Sequence, residues 1–301
     1  YITTGFGAGC GSSSAITNTA PSANAGSDYS VPANTPLIVS GVGTDVDGDT
    51  LSYSWDQIDL GASSASIAEM VDDGERPLFR FREPSDRQER YLPRLIDVVD
   101  GALSIGESMP TMNRSLNFRF TVRDGMGGLT YDDINISVLT SAGPFVVTAP
   151  GSGMSWQGGD SEDVTWDVAN TNQSPVSCSE VDILFSEDNN TDFESVVLSN
   201  TANDGSATVT VPQVNTDRAR FMVRCSNQRF YALSPESITI MATTPNTAPV
   251  ATDDALTVNE NSGQVAIDVL SNDSDADSDD SISLLSIDYI GNSSVSISGS
   301  Q

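Results

Sequence analysis

Residues 116–122 read Leu116-Asn-Phe-Arg-Phe-Thr-Val122, with an apolar side chain at every second position. Successive side chains of a strand point to opposite faces, so this stretch places Leu116, Phe118, Phe120 and Val122 on one side and Asn117, Arg119 and Thr121 on the other. Related runs appear at Leu37-Ile-Val-Ser40, Leu51-Ser-Tyr-Ser-Trp55, Ile134-Asn-Ile-Ser-Val138, Val181-Asp-Ile-Leu-Phe185, Ala207-Thr-Val-Thr-Val211 and Arg220-Phe-Met-Val223, bounded by Gly, Pro, Asn and Asp. No helical period extends beyond a turn or two. The chain therefore reads as all-β, built from consecutive antiparallel sandwiches joined by short linkers.

Small polar residues and Pro mark the divisions. Residues 11–27 lack the apolar face of a packed element and read as a linker; further boundaries fall at Leu139–Pro144 and Ala242–Pro249. The expected organisation is 1–19 as the tail of a preceding domain with its linker, 20–140 and 141–243 as two sandwiches, and 244–301 as a partial third domain. About 55 residues are short for such a sandwich. Either that block is truncated or a strand reaches it from elsewhere. The first residues, Tyr1-Ile-Thr-Thr-Gly-Phe-Gly7, contain neither an initiator Met nor a charged leader, and suggest an internal or processed fragment. No apolar run approaches the roughly 18 to 20 residues of a membrane helix.

Composition narrows the chemistry. The 301 residues carry 42 acids against 13 basic residues, a formal charge of −29; all the basic residues are arginine, and there is neither lysine nor histidine. A phosphate-backbone partner is excluded, because nucleic-acid affinity rests on Lys and Arg neutralising phosphates. Three cysteines without histidine cannot build the usual zinc centre, and a Ser or Cys nucleophile has no imidazole or amine base. Carboxylate-pair hydrolysis survives composition alone, but no positioned pair is evident. Hard cations suit such a chain, since Ca²⁺ takes carboxylate and carbonyl oxygens.

Cys178 and Cys225 flank strands of one predicted domain, which leaves two readings, a disulfide or two buried thiols. Cys10 is then left over and points to a partner outside this chain. A lipoprotein reading of Gly9-Cys10 meets two objections: Gly7 stands where a bulky apolar residue is expected, and no apolar run precedes it.

The runs Ala25-Gly-Ser-Asp-Tyr-Ser-Val-Pro32 and Gly43-Thr-Asp-Val-Asp-Gly-Asp49, followed by Leu51–Gln57, Arg76–Arg80 and Met112–Asp124, resemble a PKD-type Ig-like module. More specifically, residues 1–242 resemble the non-catalytic region after the catalytic domain of secreted bacterial reprolysin-like zinc metallopeptidases. That resemblance implies tandem Ig-like/PKD-like β-sandwiches, and makes Tyr1–Cys10 the tail of a peptidase domain whose upstream cysteine would pair with Cys10. The His-Glu-x-x-His signature is absent, so no peptidase residue carries over. Pro249–Ser262 with Ile267–Asp277 resembles the first half of a cadherin-like repeat of bacterial adhesins, with calcium at its domain junctions.

Two acidic loops are candidate calcium sites. Asp45-Val-Asp-Gly-Asp49 spaces three carboxylates at alternate positions around a glycine, and Asp124 in the next predicted turn would add an oxygen if the strands bring it close. Asn272, Asp273, Asp275 and Asp277 form the second loop, to which the cadherin-like resemblance adds Asp253 or Glu260 as an upstream acid. The alternative for the first is a tight acidic turn, and for the second a solvated acidic loop kept apart by self-repulsion.

Between Glu75 and Arg94 lie six arginines against four acids, the one locally basic segment. Arg80, Arg82 and Arg87 would there meet an anionic polysaccharide or an acidic subunit; otherwise the arginines bind the segment's own acids and carbonyls. Trp55 and Trp166 sit on strands and are expected in cores, whereas Trp156, among glycines, is expected to be exposed and available to a partner. The composite expectation is a non-enzymatic, secreted or surface-attached β-sandwich array with calcium and an extracellular protein or polysaccharide as partners. The alternative is a filament subunit that self-assembles by strand complementation.

Overall fold

The computed structural model describes residues 17–102, 104–189, 191, 193–243, 247–277 and 281–286. The expected tail Tyr1–Cys10 and the partner of Cys10 lie outside them. The described residues through Ala242 form one compact unit and those from Thr243 a second.

The first sandwich contains β1 (Ser22–Asn24), β2 (Tyr29–Pro32), β3 (Leu37–Ser40), β4 (Val42–Thr44), β5 (Ser52–Gln57), β6 (Glu89–Leu92), β7 (Arg114–Arg123) and β8 (Leu129–Leu139). Its main sheet runs β2-β8-β7-β5, with β2 parallel to β8 and the other pairs antiparallel. The pairs β1-β4 and β3-β6 supply the remaining strand pairing. Leu116, Phe118, Phe120 and Val122 are all fully buried, as their alternation requires, and pack with Leu37, Trp55 and Ile136. Trp55 stacks on Phe120 at 4.8 Å. The linker expected across 11–27 ends early, because Ser22–Asn24 forms an edge strand. Three backbone pairs to β4 and the Ser22–Thr44 hydroxyl contact hold it, while Ala23 alone packs against the core.

The second sandwich has β9 (Val146–Ala149), β10 (Ser155–Gln157), β11 (Ser161–Asp167), β12 (Glu180–Ser186), β13 (Ser195–Ala202), β14 (Ser206–Thr210), β15 (Thr216–Cys225), β16 (Tyr231–Leu233) and β17 (Ile238–Met241). The larger sheet runs β10-β17-β15-β12-β13 with β16 on β15; the smaller is β14-β11-β9. Cys178 and Cys225 form a disulfide at one end of the core. Trp166 is buried and its indole N–H donates to Asn203 Oδ1 at 2.8 Å. Trp156 overturns its expectation, being only 3% exposed and packed edge-on against Phe221. The neighbouring glycines serve turns, while parallel pairing of β10 with β17 sets Trp156 beside Ile240 inside the core.

A third cluster joins the two sandwiches. Ile38, Leu95 and Val99 from the first pack with Leu184, Phe193, Met222 and Tyr231 from the second. Leu95 and Val99 lie on the short helix α1 (Leu95–Val99) in the long excursion between β6 and β7. This explains why β12 is buried on both faces: Val181, Ile183 and Phe185 face their own core, Leu184 the joint. Backbone bonds reinforce it, Ile38 N–H to Arg229 O at 2.9 Å and Tyr231 N–H to Pro36 O at 3.1 Å. Arg220 donates to Val99 O at 2.8 Å across the same joint.

In the second unit, Val250 and Ser274 exchange backbone hydrogen bonds of 2.8 and 3.1 Å, the one bridge among its described residues.

Candidate metal site

The loop after β4 is shaped by its own carboxylates. Asp45 Oδ1 accepts from the backbone N–H of Asp47 at 2.8 Å and of Asp49 at 3.3 Å, while Gly48 adopts φ +78°, a conformation costly for other residues. Asp45, Asp47 and Asp49 thereby each present an oxygen within 4.8 Å of the others, the one such group among the described residues. Asp45 Oδ2 is buried and has no hydrogen-bond partner. The incoming chain reaches the same loop: Thr19 N–H donates to Asp47 Oδ2 at 2.6 Å.

Asp124, at the β7-β8 turn, stays outside the three-carboxylate group. Its Oδ1 accepts from the backbone N–H of Met126 and Gly128, both at 2.8 Å, and its Oδ2 accepts from Asn18 Nδ2 at 2.7 Å. Gly128 is required here, since a Cβ would stand 2.0 Å from Asp124 Oδ2. These bonds, led by the one from Asn18, hold the Asp124 carboxyl below its usual range. Asp49 moves the opposite way: desolvation, then the charges of Asp45, Asp124 and Asp47, push its carboxyl up. Four carboxylates thus crowd one end of the sandwich, and the loop's donor set is oxygen only, the chemistry of a hard cation.

Among the described residues, the acids of the second loop are not drawn into a comparable group. Asp273 Oδ1 accepts from Thr252 N–H at 2.7 Å, Asp275 Oδ1 from Asp277 N–H at 2.8 Å, and Asp277 Oδ2 from Thr247 N–H. Neither Asp253 nor Glu260 joins Asp273, Asp275 and Asp277 in such a three-acid cluster. Asn272 lies in the same turn.

The arginine-rich segment divides. Arg82 and Arg90 both bind Glu107 Oε1, at 2.9 and 3.0 Å, and Arg90 also donates to Trp55 O and Arg80 O. Arg76 holds Asp73, and Arg94 holds Asp97 and Ser104. Arg80 and Arg87 remain exposed. The sequence reading missed Glu107 and Asp72, both buried acids held by arginines. They stand in stretches without periodicity, and only the surplus of nearby arginines hinted at them.

Residues 246–301 match the bacterial Ig domain family. No curated protein matches the chain. Among solved structures, immunoglobulin domains 1–5 of Sidekick-1 are 11% identical over 78% of this chain and 42% of that one, with a TM-score of 0.22. The N-terminal Ig1-2 module of the Drosophila receptor protein tyrosine phosphatase DLAR is 11% identical over 74% of this chain and 100% of that one, TM-score 0.38. SGBP-B of the Bacteroides ovatus mixed-linkage glucan utilization locus, solved with a mixed-linkage heptasaccharide, is 12% identical over 74% and 48%, TM-score 0.22. The described residues are nearly all in strands, turns and loops, forming two β-sandwiches that precede the segment matching the bacterial Ig domain family.

Proposed function

We propose that this array is the non-catalytic attachment and spacing region of a secreted metallopeptidase or adhesin, stiffened by calcium at the Asp45 loop. The observation that carries it is the convergence of Asp45, Asp47 and Asp49 around an unpartnered Asp45 oxygen, beside the segment that enters the first sandwich. A Ca²⁺ ion would take oxygens of these three residues and relieve their mutual repulsion, with Asp124 holding Asn18 nearby. The resemblance of residues 1–242 to metallopeptidase accessory modules supports the parent, and the acidic second unit suits a saline, calcium-bearing exterior.

Calcium is expected to raise the thermal midpoint and a chelator to reverse it; at a concentration 100 times Kd the gain is about 2.7 kcal/mol. Asp49→Asn should act with opposite signs, raising the midpoint without calcium by relieving repulsion and abolishing the calcium response. The response should also fade as pH falls through the raised Asp49 value, where protons compete for the site. A midpoint indifferent to calcium and chelator sinks the proposal.

One observation favours the filament reading: among the described residues of the second unit, Leu256, Val258, Val265 and Ile267 are exposed around a single backbone bridge. A complementing strand would cover them. Light scattering of the same samples at rising concentration decides it, a constant mass excluding assembly.

A further inference from the structure

A groove of about 400 Å³ opens where the two sandwiches meet, within the size range of small-ligand sites and at the domain boundary where such sites concentrate. Arg87, Glu89 and Tyr91 line it from the first sandwich; Glu194, Val196 and Arg224 line it from the second. Leu95 and Phe193 give it an apolar floor that belongs to the shared core, so its walls are held by packing. Tyr91 meets Tyr231 edge-on at 5.3 Å, fixing the joint beneath. Arg87, 64% exposed, faces Glu89 at 3.8 Å and Glu194 at 3.9 Å, longer than hydrogen bonds. Arg224 is anchored by Asp182 and lies beside the Tyr91 hydroxyl, yet its buried Nε–H has no acceptor among the described residues.

We propose that this groove binds a neutral oligosaccharide. Two guanidiniums against two carboxylates give a balanced lining, and a chain of −29 repels a polyanion. A sugar hydroxyl donates and accepts at once, which matches carboxylate acceptors set beside guanidinium donors, while the ring's C–H face suits Leu95, Phe193 and Val196. This rests on the attachment reading but not on calcium, because none of the Asp45-loop residues line the groove.

The test is calorimetric titration of the full chain with neutral hexose and pentose oligosaccharides, uronate oligosaccharides and acidic peptides, each with calcium and with chelator. Saturable binding of a neutral oligosaccharide in both conditions is expected. It should weaken about tenfold or more, at least 1.4 kcal/mol, in Arg87→Ala/Glu89→Gln and in the groove-filling Val196→Trp, with thermal midpoints little changed. Binding confined to uronates or peptides, binding untouched by both variants, or no binding overturns the proposal. Loss of binding with the chelator alone overturns its independence from the calcium loop.

Discussion

Replacing Cys178 and Cys225 together by alanine is expected to destabilise the compact unit by about 4 kcal/mol. The bridge closes a separation of 47 residues, and releasing a loop of that length returns roughly this much conformational freedom to the unfolded chain. The native side adds to the loss, since both sulfurs sit at 1% residue exposure among Val176, Val181 and Val223 in the second core. Guanidinium unfolding of wild type, the double alanine variant and reduced wild type checks this. The variant and the reduced protein should share a lower midpoint and a steeper denaturant slope, because an unbridged chain exposes more surface when it unfolds. A difference below about 1 kcal/mol would show that the core, rather than the bridge, determines this sandwich's stability.

The loss should not stop at the second sandwich. β12 and β15 carry Leu184 and Met222 into the joint on the face opposite their own core. Loosening the bridged end of these strands therefore loosens the support of α1 and β3. We expect a single cooperative transition for residues through Ala242, in contrast to the two independent steps that a flexible linker at 139–144 would give.

What could be read from sequence follows the range of the forces involved. Alternation in Leu116–Val122 is local, and its four apolar residues are all buried as it requires, with Thr121 on the opposite face buried as well. The Asp45 loop is also local: three acids around a glycine converge because the chain turns on itself. The joint was invisible, because Leu184 and Met222 look like ordinary strand residues and only their partners from α1 and β3 bury their second face. Trp156 failed for a related reason, since adjacent glycines predict a turn but not which strand covers its flank. The basic segment misled by proximity: arginines 76–94 answer acids as distant as Glu107, and Arg114 reaches back to Asp72.

That last pair carries the other large expected effect. Asp72 and Arg114 have side chains 0% and 2% exposed and meet at 2.6 Å. Asp72 also accepts the backbone N–H of Thr111 at 2.7 Å, Met112 at 3.2 Å and Gly74 at 3.0 Å, while Arg114 donates to Arg76 O at 2.9 Å. One carboxylate thus ties residues 72–76 to the chain entering β7. Arg114→Leu should cost about 3 to 5 kcal/mol, because it strands a buried charge, and Asp72→Asn a similar amount. The double variant Asp72→Ala/Arg114→Leu should cost clearly less than the sum, since no unpaired charge is left. Burial alone would push the Asp72 carboxyl up, but its hydrogen bonds and Arg114 outweigh that and hold it below the ordinary 3.8. The stability it contributes is therefore present above the ordinary value and lost as pH falls through the depressed one. The gap between wild type and Asp72→Asn, read from denaturant midpoints, should be widest at neutral pH and close only in strong acid. A gap constant with pH would mean that the pair acts through shape and not charge.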